Sequence, residues 1–502
     1  MSLLTSFLRV LSARVFHLER AFAGRFVRRR TNKDVRQGGR APGGQWWSDD
    51  PRWFPGGTPP RERNAITPLI DGEAAFAALE AAIRDARHYV YVAGWALTPA
   101  FALRRALTGA GDDDLLLKAL AAASERVPVK VLVWSGATLF FAPTRRSVEQ
   151  ARDELLAVAP HLDCRLDDHC RPLHCHHQKA VVVDGQVAFA GGLDLTTLEG
   201  DRWDRMGHPL RFGRNWHDVT LQVRGAAVAD VERNFTQRWA EVTGETSLPH
   251  RPPVVEPGWR TPCQVVRTIP RGDYRFAPDG EFGIAHAYLA AIARARRFIY
   301  LENQYLWSRE IVDALVAALR RNDDDFRILL VLPARADLGK FDNDKHVQLL
   351  QQADGGRGRF SAYALYTGGA ATGPTGFFYR PVYVHAKVGI VDDEWYTVGS
   401  ANLNGRGLAT DSELNVQALD PPGARALRLA LWAEHLGLSP DDLAALDPTD
   451  VMRRLWPQRA AAVRQRVQRR RGFLPALAYP YPTDRQPGIW LLQEAQALLE
   501  EL

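Results

Sequence analysis

This sequence is poor in cysteine, lysine and long apolar runs. Four cysteines stand in 502 residues, too few for a disulfide scaffold in a chain of that length. No run of about 18 apolar residues occurs, which excludes an ordinary transmembrane helix. Charged residues make up 24% and hydrophobic residues 46%, so core-forming residues are not depleted as they are in disordered chains. Lysine is the rare cation. Only Lys33, Lys118, Lys130, Lys179, Lys340, Lys345 and Lys387 occur among 64 basic residues, so the places where lysine does stand carry information. The net charge of +6 suits an anionic partner, nucleic acid or a lipid headgroup surface, without choosing between them.

What is present is organised. The length predicts about three domains. Residues 3–30 read as one basic amphipathic helix. Leu4, Phe7, Leu8, Leu11, Val15, Leu18, Phe22 and Phe26 share a face, and Arg9, Arg14, Arg20 and Arg25 lie off it. Such a helix suits a membrane interface; docking on its own domain and a transit peptide are the alternatives. Residues 31–62, rich in Gly, Pro, Arg and Trp, read as a linker or extended arm. From Ile66 onward helix and strand patterns alternate, which predicts α/β layers. The pattern then recurs: AALEAAIRDARHYVYVAGW (77–95) matches AYLAAIARARRFIYLENQY (287–305). A duplication with a period of about 200 residues predicts two homologous α/β domains rather than a solenoid. The expected divisions are 1–61 (helix and linker), 62–255 and 256–437 (the repeated units) and 438–502 (a helical extension), with Pro252, Pro253 and Pro257 at the central boundary.

One motif occurs in each half at that same spacing. His177-Gln-Lys179 runs on to Asp184-Gly185, and His385-Ala-Lys387 runs on to Asp392. Alternation predicts that His and Lys share one face of a buried strand. Each motif leads to a small-residue turn, Gly191-Gly192-Leu193-Asp194 or Gly399-Ser400-Ala401-Asn402, where glycine is expected to let backbone approach a ligand. A His-x-Lys pair alone is ordinarily a half-buried histidine beside a surface lysine. Two copies in register, using two of the seven lysines, predict a catalytic site.

Two imidazoles at a domain interface can divide nucleophilic attack and leaving-group protonation. Two lysines and Asn402 supply charge and donors suited to a phosphoryl group. No carboxylate cage surrounds the motifs, so no metal or other cofactor is expected at that centre. Each imidazole needs an orienting acid. HDVTLQV (217–223) aligns with SELNVQA (412–418), pairing Asp218 with Glu413. The expectation is that Asp218 orients His177 and Glu413 orients His385. Asp184 and Asp392, seven positions past each His, are expected to fix the turn.

With these residues in view, the chain resembles the phospholipase D superfamily, whose signature is the duplicated HxKxxxxD motif. The resemblance covers roughly residues 62 to 437. GGLDLTTLEGDRW (191–203), WHDVTLQVRGAAVADVERNFTQRW (216–239), IYLENQYL (299–306), GSANLNGRGLATDSELNV (399–416) and LRLALWAEHLG (427–437) are similar to the phospholipase D enzymes proper. It implies an α/β fold of two homologous sandwich domains, a pseudo-dimer with one active site at the interface. It implies a phosphohistidine on His177, His385 as general acid and then base, and Lys179, Lys387 and Asn402 on the phosphate. It also implies a glycerophospholipid substrate at an anionic membrane surface, with water or an alcohol as acceptor. Nucleic acid is not expected, and a monomer is. A cytoplasmic, peripherally membrane-associated protein is the expectation that follows from absent signals. A cardiolipin synthase-type phosphatidyltransferase, a nuclease and a silent membrane scaffold are the rival readings.

The chain departs from the pattern where Asp194 stands opposite Asn402 and Asp393 stands opposite Gly185. Three further features have a bland and a functional reading. Cys164, Cys170, His174, Cys175 and His176 suggest zinc only by density, since their spacing fits no common site. GPTGFFYRPVYVH (373–385) reads as packing or as an apolar rim, and RQRVQRRR (464–471) as a solvated face or an anionic-lipid contact.

Overall fold

The computed structural model describes residues 50–105, 114–137, 143–171, 174–211, 213–337, 340–370, 377–470, 472 and 474–483. The expected helix at 3–30 and the closing segment from Gly488 lie outside the described residues.

Two sheets organise the chain. The first contains β1 (Asn64–Ile70), β2 (Val90–Gly94), β3 (Val129–Trp134), β4 (Asp163–Asp167), β5 (Ala180–Val183), β6 (Val187–Gly191) and β8 (Val219–Gly225), in the order β1-β8-β6-β5-β2-β3-β4. The strand between the last two, β7 (Asn215–His217), leaves this sheet. The second half supplies β9 (Cys263–Ile269), β10 (Glu281–Phe282), β11 (Phe298–Glu302), β12 (Arg327–Val331), β13 (Phe360–Ala370), β14 (Phe377–Val384), β15 (Val388–Val391), β16 (Trp395–Gly399) and β17 (Glu413–Leu419). Its central order, β9-β17-β16-β15-β11-β12-β13, repeats the first sheet strand for strand. The three strands β2, β3 and β4 run parallel, as do β11, β12 and β13. Helices make those parallel crossovers. They are α2 (Leu116–Ser124) and α3 (Arg145–Val158) in the first half. In the second they are α6 (Arg309–Arg321) and α7 (Lys340–Asp354), after α1 (Asp71–Arg84), α4 (Val228–Thr243) and α5 (Gly283–Arg294).

Period-two alternation decides which way each strand faces. Val90 and Val92 join the outer core with α1, α2 and α3, while Tyr91 and Ala93 face inward. In the second half Ile299 and Leu301 face α5 and α6, while Phe298 and Tyr300 face inward. The inward faces of both sheets, with α4 and α8 (Pro421–Leu436), share one continuous core. The result is the predicted pair of α/β sandwiches packed as a pseudo-dimer.

Several segments bind the halves together. β7, from the first half, pairs in parallel with β14 of the second. The arm before β1 leans on β9: Phe54 and Gln264 exchange hydrogen bonds of 2.9 Å, and Thr58 donates to the Val265 carbonyl at 2.6 Å. After α8, Trp456 at the start of α9 (Trp456–Arg469) enters the shared core, and β18 (Ala478–Pro480) pairs with β13. No helix among the described residues is long and apolar enough to cross a membrane.

Candidate active site at the interface of the two halves

Both motif histidines lie where the two sheets meet, and each is held by the opposite half. The backbone N–H of His177 donates to the Ser412 carbonyl at 2.9 Å, and that of His385 to the His217 carbonyl at 2.8 Å. These bonds pull each His-x-Lys segment off its own ladder. β5 begins at Ala180 and β15 at Val388, so His and Lys stand in the extended lead-in rather than on the strand as predicted.

The orienting acids cross over as well. His177 Nδ1 lies 2.9 Å from Glu413 Oε1, and His385 Nδ1 lies 2.6 Å from Asp218 Oδ2. The two acids are those expected, but the pairing within each half is overturned. An ionised carboxylate accepts only, so each Nδ1 carries a proton and each Nε2 is turned toward the site. Glu413 is further fixed by the Ser400 hydroxyl, which donates to its Oε2 at 2.5 Å. Burial, with Lys179 and Lys387, pushes the His177 imidazole well below its usual range. Burial, with Lys387 and Arg202, does the same to His385.

The lysines repeat one geometry. Lys179 Nζ donates to the His177 carbonyl at 2.7 Å, and Lys387 Nζ donates to the His385 carbonyl. Burial brings Lys387 down to about 7. Their remaining partners differ. Lys179 pairs with Asp194 Oδ2 at 3.7 Å and lies over the Trp95 ring at 5.7 Å. Lys387 lies 3.4 Å from Gln304 Oε1. Trp95 and Gln304 were not among the predicted residues, yet both lie at the end of the matching segments 77–95 and 287–305. Asn402, opposite Asp194, is buried with its Oδ1 unpartnered, whereas Asp194 accepts from the Ala96 and Leu195 amides at 3.1 Å.

Asp184 and Asp392 do not join this cluster. Asp184 accepts from the backbone N–H of Arg87, His88 and Tyr89 at 2.7–2.9 Å. Asp392 does the same for Arg296, Arg297 and Phe298 at 2.7–2.8 Å. Each fixes the start of the strand beside its motif. The substitution of Asp393 for glycine is accommodated at φ 53° because Arg428 of α8 holds its carboxylate with two 2.7 Å bonds.

The turn glycines serve the acid rather than a ligand. A Cβ on Gly192 would stand 2.1 Å from Asp218 Oδ1, and one on Gly191 would stand 2.5 Å from the Thr220 Cα. The cysteine-rich segment is dispersed: Cys170 accepts from the Trp134 indole at 3.4 Å, Cys175 contacts Arg406 at 3.4 Å, and His176 sits between Ser412 and Asp167.

Two family models match the chain. One, described as Phospholipase D, matches residues 82–215 and 379–489; another, Cardiolipin synthase, PLD-like domain, matches 288–431. The chain belongs to the phospholipase D superfamily. Phospholipase D A of Dictyostelium discoideum is 27% identical over 470 residues, 76% of this chain and 36% of that protein. Phospholipase D alpha 4 of Arabidopsis thaliana is 26% identical over 495 residues, 73% of this chain and 64% of that protein. The chain thus spans less than two thirds of these relatives. A solved phosphatidylserine synthase from Haemophilus influenzae Rd KW20 aligns over 80% of this chain and 94% of its own, with a TM-score of 0.48 and 11% identity.

Proposed function

We propose that this protein is a phospholipase D that cleaves the distal phosphodiester of a glycerophospholipid. The observation that carries the reading is the pair of imidazoles, each fixed at Nδ1 by the other half's acid, with both lysines beside them. In the first step His177 Nε2 attacks phosphorus. The bond to the headgroup oxygen breaks, and His385, entering this step as the imidazolium, gives its Nε2 proton to the departing alkoxide. In the second, His385 takes a proton from water, the water oxygen attacks phosphorus, and the phosphorus–nitrogen bond breaks to release phosphatidic acid. An alcohol in place of water gives a new phospholipid. Lys179, Lys387 and the Asn402 amide hold the non-bridging oxygens as charge builds on them. His177 is the better nucleophile candidate because its side chain keeps 15% exposure against 6% for His385.

A surface feature supports a bilayer-bound substrate. Phe378 is exposed on β14, the strand that runs directly into His385. Its neighbour Tyr379 donates to the Gly472 carbonyl, just past α9, where Arg464, Arg466 and Arg469 are exposed. An apolar tip beside a basic cluster suits an anionic lipid surface. The match of 288–431 to the model described as Cardiolipin synthase, PLD-like domain favours a second reading, transfer to a lipid alcohol.

The test is a product assay. Purified protein is given liposomes of phosphatidylcholine, phosphatidylethanolamine and phosphatidylglycerol with a few per cent ethanol, and lipids are read by mass spectrometry. Phosphatidic acid and phosphatidylethanol, absent in His177→Ala and His385→Ala, are the expected products. Cardiolipin alone would favour the transferase, and no lipid product from folded protein would overturn both.

A further inference from the structure

Behind Asp218, away from the two lysines, lies a second cluster of ionisable side chains that the proposed reaction does not use. Asp71, at the start of α1, His208, His217 on β7 and Glu434 on α8 are all buried, and their ligand atoms lie within 4.8 Å of one another. His208 Nε2 is 3.5 Å from Asp71 Oδ2 and 3.5 Å from Glu434 Oε1. These are too long for hydrogen bonds. Asp71 Oδ2, His208 Nε2 and Glu434 Oε2 are buried without any hydrogen-bond partner. With His208 neutral, an imidazole lone pair and two carboxylates would share this buried space, a costly arrangement unless something positive fills it.

The surroundings fix these atoms rather than satisfy them. His208 Nδ1 lies 3.1 Å from Asp204 Oδ2, which turns Nε2 inward. Carboxylate-held imidazoles of this kind are the usual outer support of metal ligands. Glu434 Oε1 accepts from the Gly207 amide at 2.7 Å, and Asp71 Oδ1 lies 3.0 Å from His217 Nδ1. Ligand atoms held about 2.1 Å from a tetrahedral ion stand roughly 3.4 Å apart, close to the 3.5 Å edges found here.

We propose that Asp71, His208 and Glu434 form a three-residue site for one divalent cation of the zinc or manganese type, with His217 holding Asp71 Oδ1 from behind. An imidazole beside two carboxylates favours such ions over calcium or magnesium, which prefer oxygen alone. The neighbouring His217–Glu302–His435 group is a weaker candidate, because Glu302 already takes hydrogen bonds of 2.8 and 2.9 Å from the two histidines. The ion has a positioning role. Asp71 N donates to the Asp218 carbonyl at 2.8 Å, and Asp218 N donates to Asp71 Oδ1 at 3.2 Å. Fixing Asp71 therefore fixes the backbone of the acid that orients His385. It also links α1 and β7 of the first half to α8 of the second.

The competing occupant is a proton on His208, which would make two buried ion pairs with no metal. The full chain, stripped with dipicolinate, is incubated with Zn2+ or Mn2+, gel-filtered and assayed for metal by mass spectrometry, with melting followed in parallel. Retention of one equivalent and a melting point raised by several degrees are the expected results. Both are lost in His208→Gln and in Glu434→Gln, which keeps a carbonyl for the Gly207 amide. In the stripped protein kcat falls with little change in KM and recovers with the ion. No retained metal in folded wild type would assign the cluster to the proton and overturn the proposal. Equal retention in both variants would place the ion elsewhere and overturn it too. Should the variants fail to fold, Co2+-loaded wild type decides: intense visible ligand-field bands support a four-coordinate site, and the faint spectrum of hydrated cobalt opposes it.

Discussion

At the scale of single residues, the crossed pairing of acid and imidazole makes the two acids separable. Asp218 serves His385, the proposed general acid, and Glu413 serves His177, the proposed nucleophile. A p-nitrophenyl phosphodiester has a leaving group that needs no proton. Asp218→Asn should therefore lose on the order of 10³-fold on a phospholipid but much less on the nitrophenyl ester, whereas Glu413→Gln should lose comparably on both. Steady-state kinetics on the two substrates check this, and the inverse pattern would contradict the crossed arrangement. The pH profile has a definite sign too. Lowered imidazole values mean that His177, which must be neutral to attack, stays neutral to lower pH, while His385, which must be protonated to act as general acid, loses its proton at lower pH. The acid limb of kcat/KM, which reports the free enzyme, should therefore fall below the ordinary imidazole value of about 6.5. The sequence identified both histidines, both lysines and both acids, because a repeat displays equivalent positions. It could not tell which acid belongs to which histidine, since a twofold-related pair looks the same whether its contacts stay within a half or cross. Trp95 and Gln304 escaped because neither is a titratable residue, although both close the matching segments 77–95 and 287–305.

At the scale of elements, the turns and lead-ins do the aiming. Gly192 leaves room for Asp218, so Gly192→Ala should displace that carboxylate and cost roughly 100-fold in kcat while the sheet still folds. Kinetics beside a circular dichroism melt separate the two effects. Asp184 belongs to a different category. Its three amide bonds anchor the start of β2, so Asp184→Ala should cost about 2 kcal/mol of stability by denaturant titration, with little loss of kcat in the protein that remains folded. The recurring segments 77–95 and 287–305 made β2 and β11 legible, because burial on both faces leaves a continuous apolar run at the end of each. What alternation could not show was β7. Its three residues pair with a strand more than 160 positions away, and no local period marks a strand that short. The glycine turns were visible, but what approaches them was not, since close packing by an acid and by a ligand leave the same mark.

At the scale of the molecule, duplication explains why one active site requires both halves. Each half brings a histidine, a lysine and an acid, and each acid completes the other half's histidine. The shared core is built from the inner faces of both sheets together, so separating the halves would strip the inner face of each sheet and leave only its outer, helix-covered face buried. The connection between them is different in character. Residues 255–258 carry no regular structure, and Glu256, Pro257 and Gly258 are exposed. Continuity of the chain there contributes little beyond holding the halves at high local concentration, and the crossing strand β7 together with the arm on β9 already does that. A protease site inserted between Pro257 and Gly258 and then cut should leave a single species on gel filtration, with its melting point lowered by only a few degrees and its kcat nearly unchanged. Two separating fragments, or a nicked protein that stays together but loses activity, would mean that the interface depends on the linker and not on the common core.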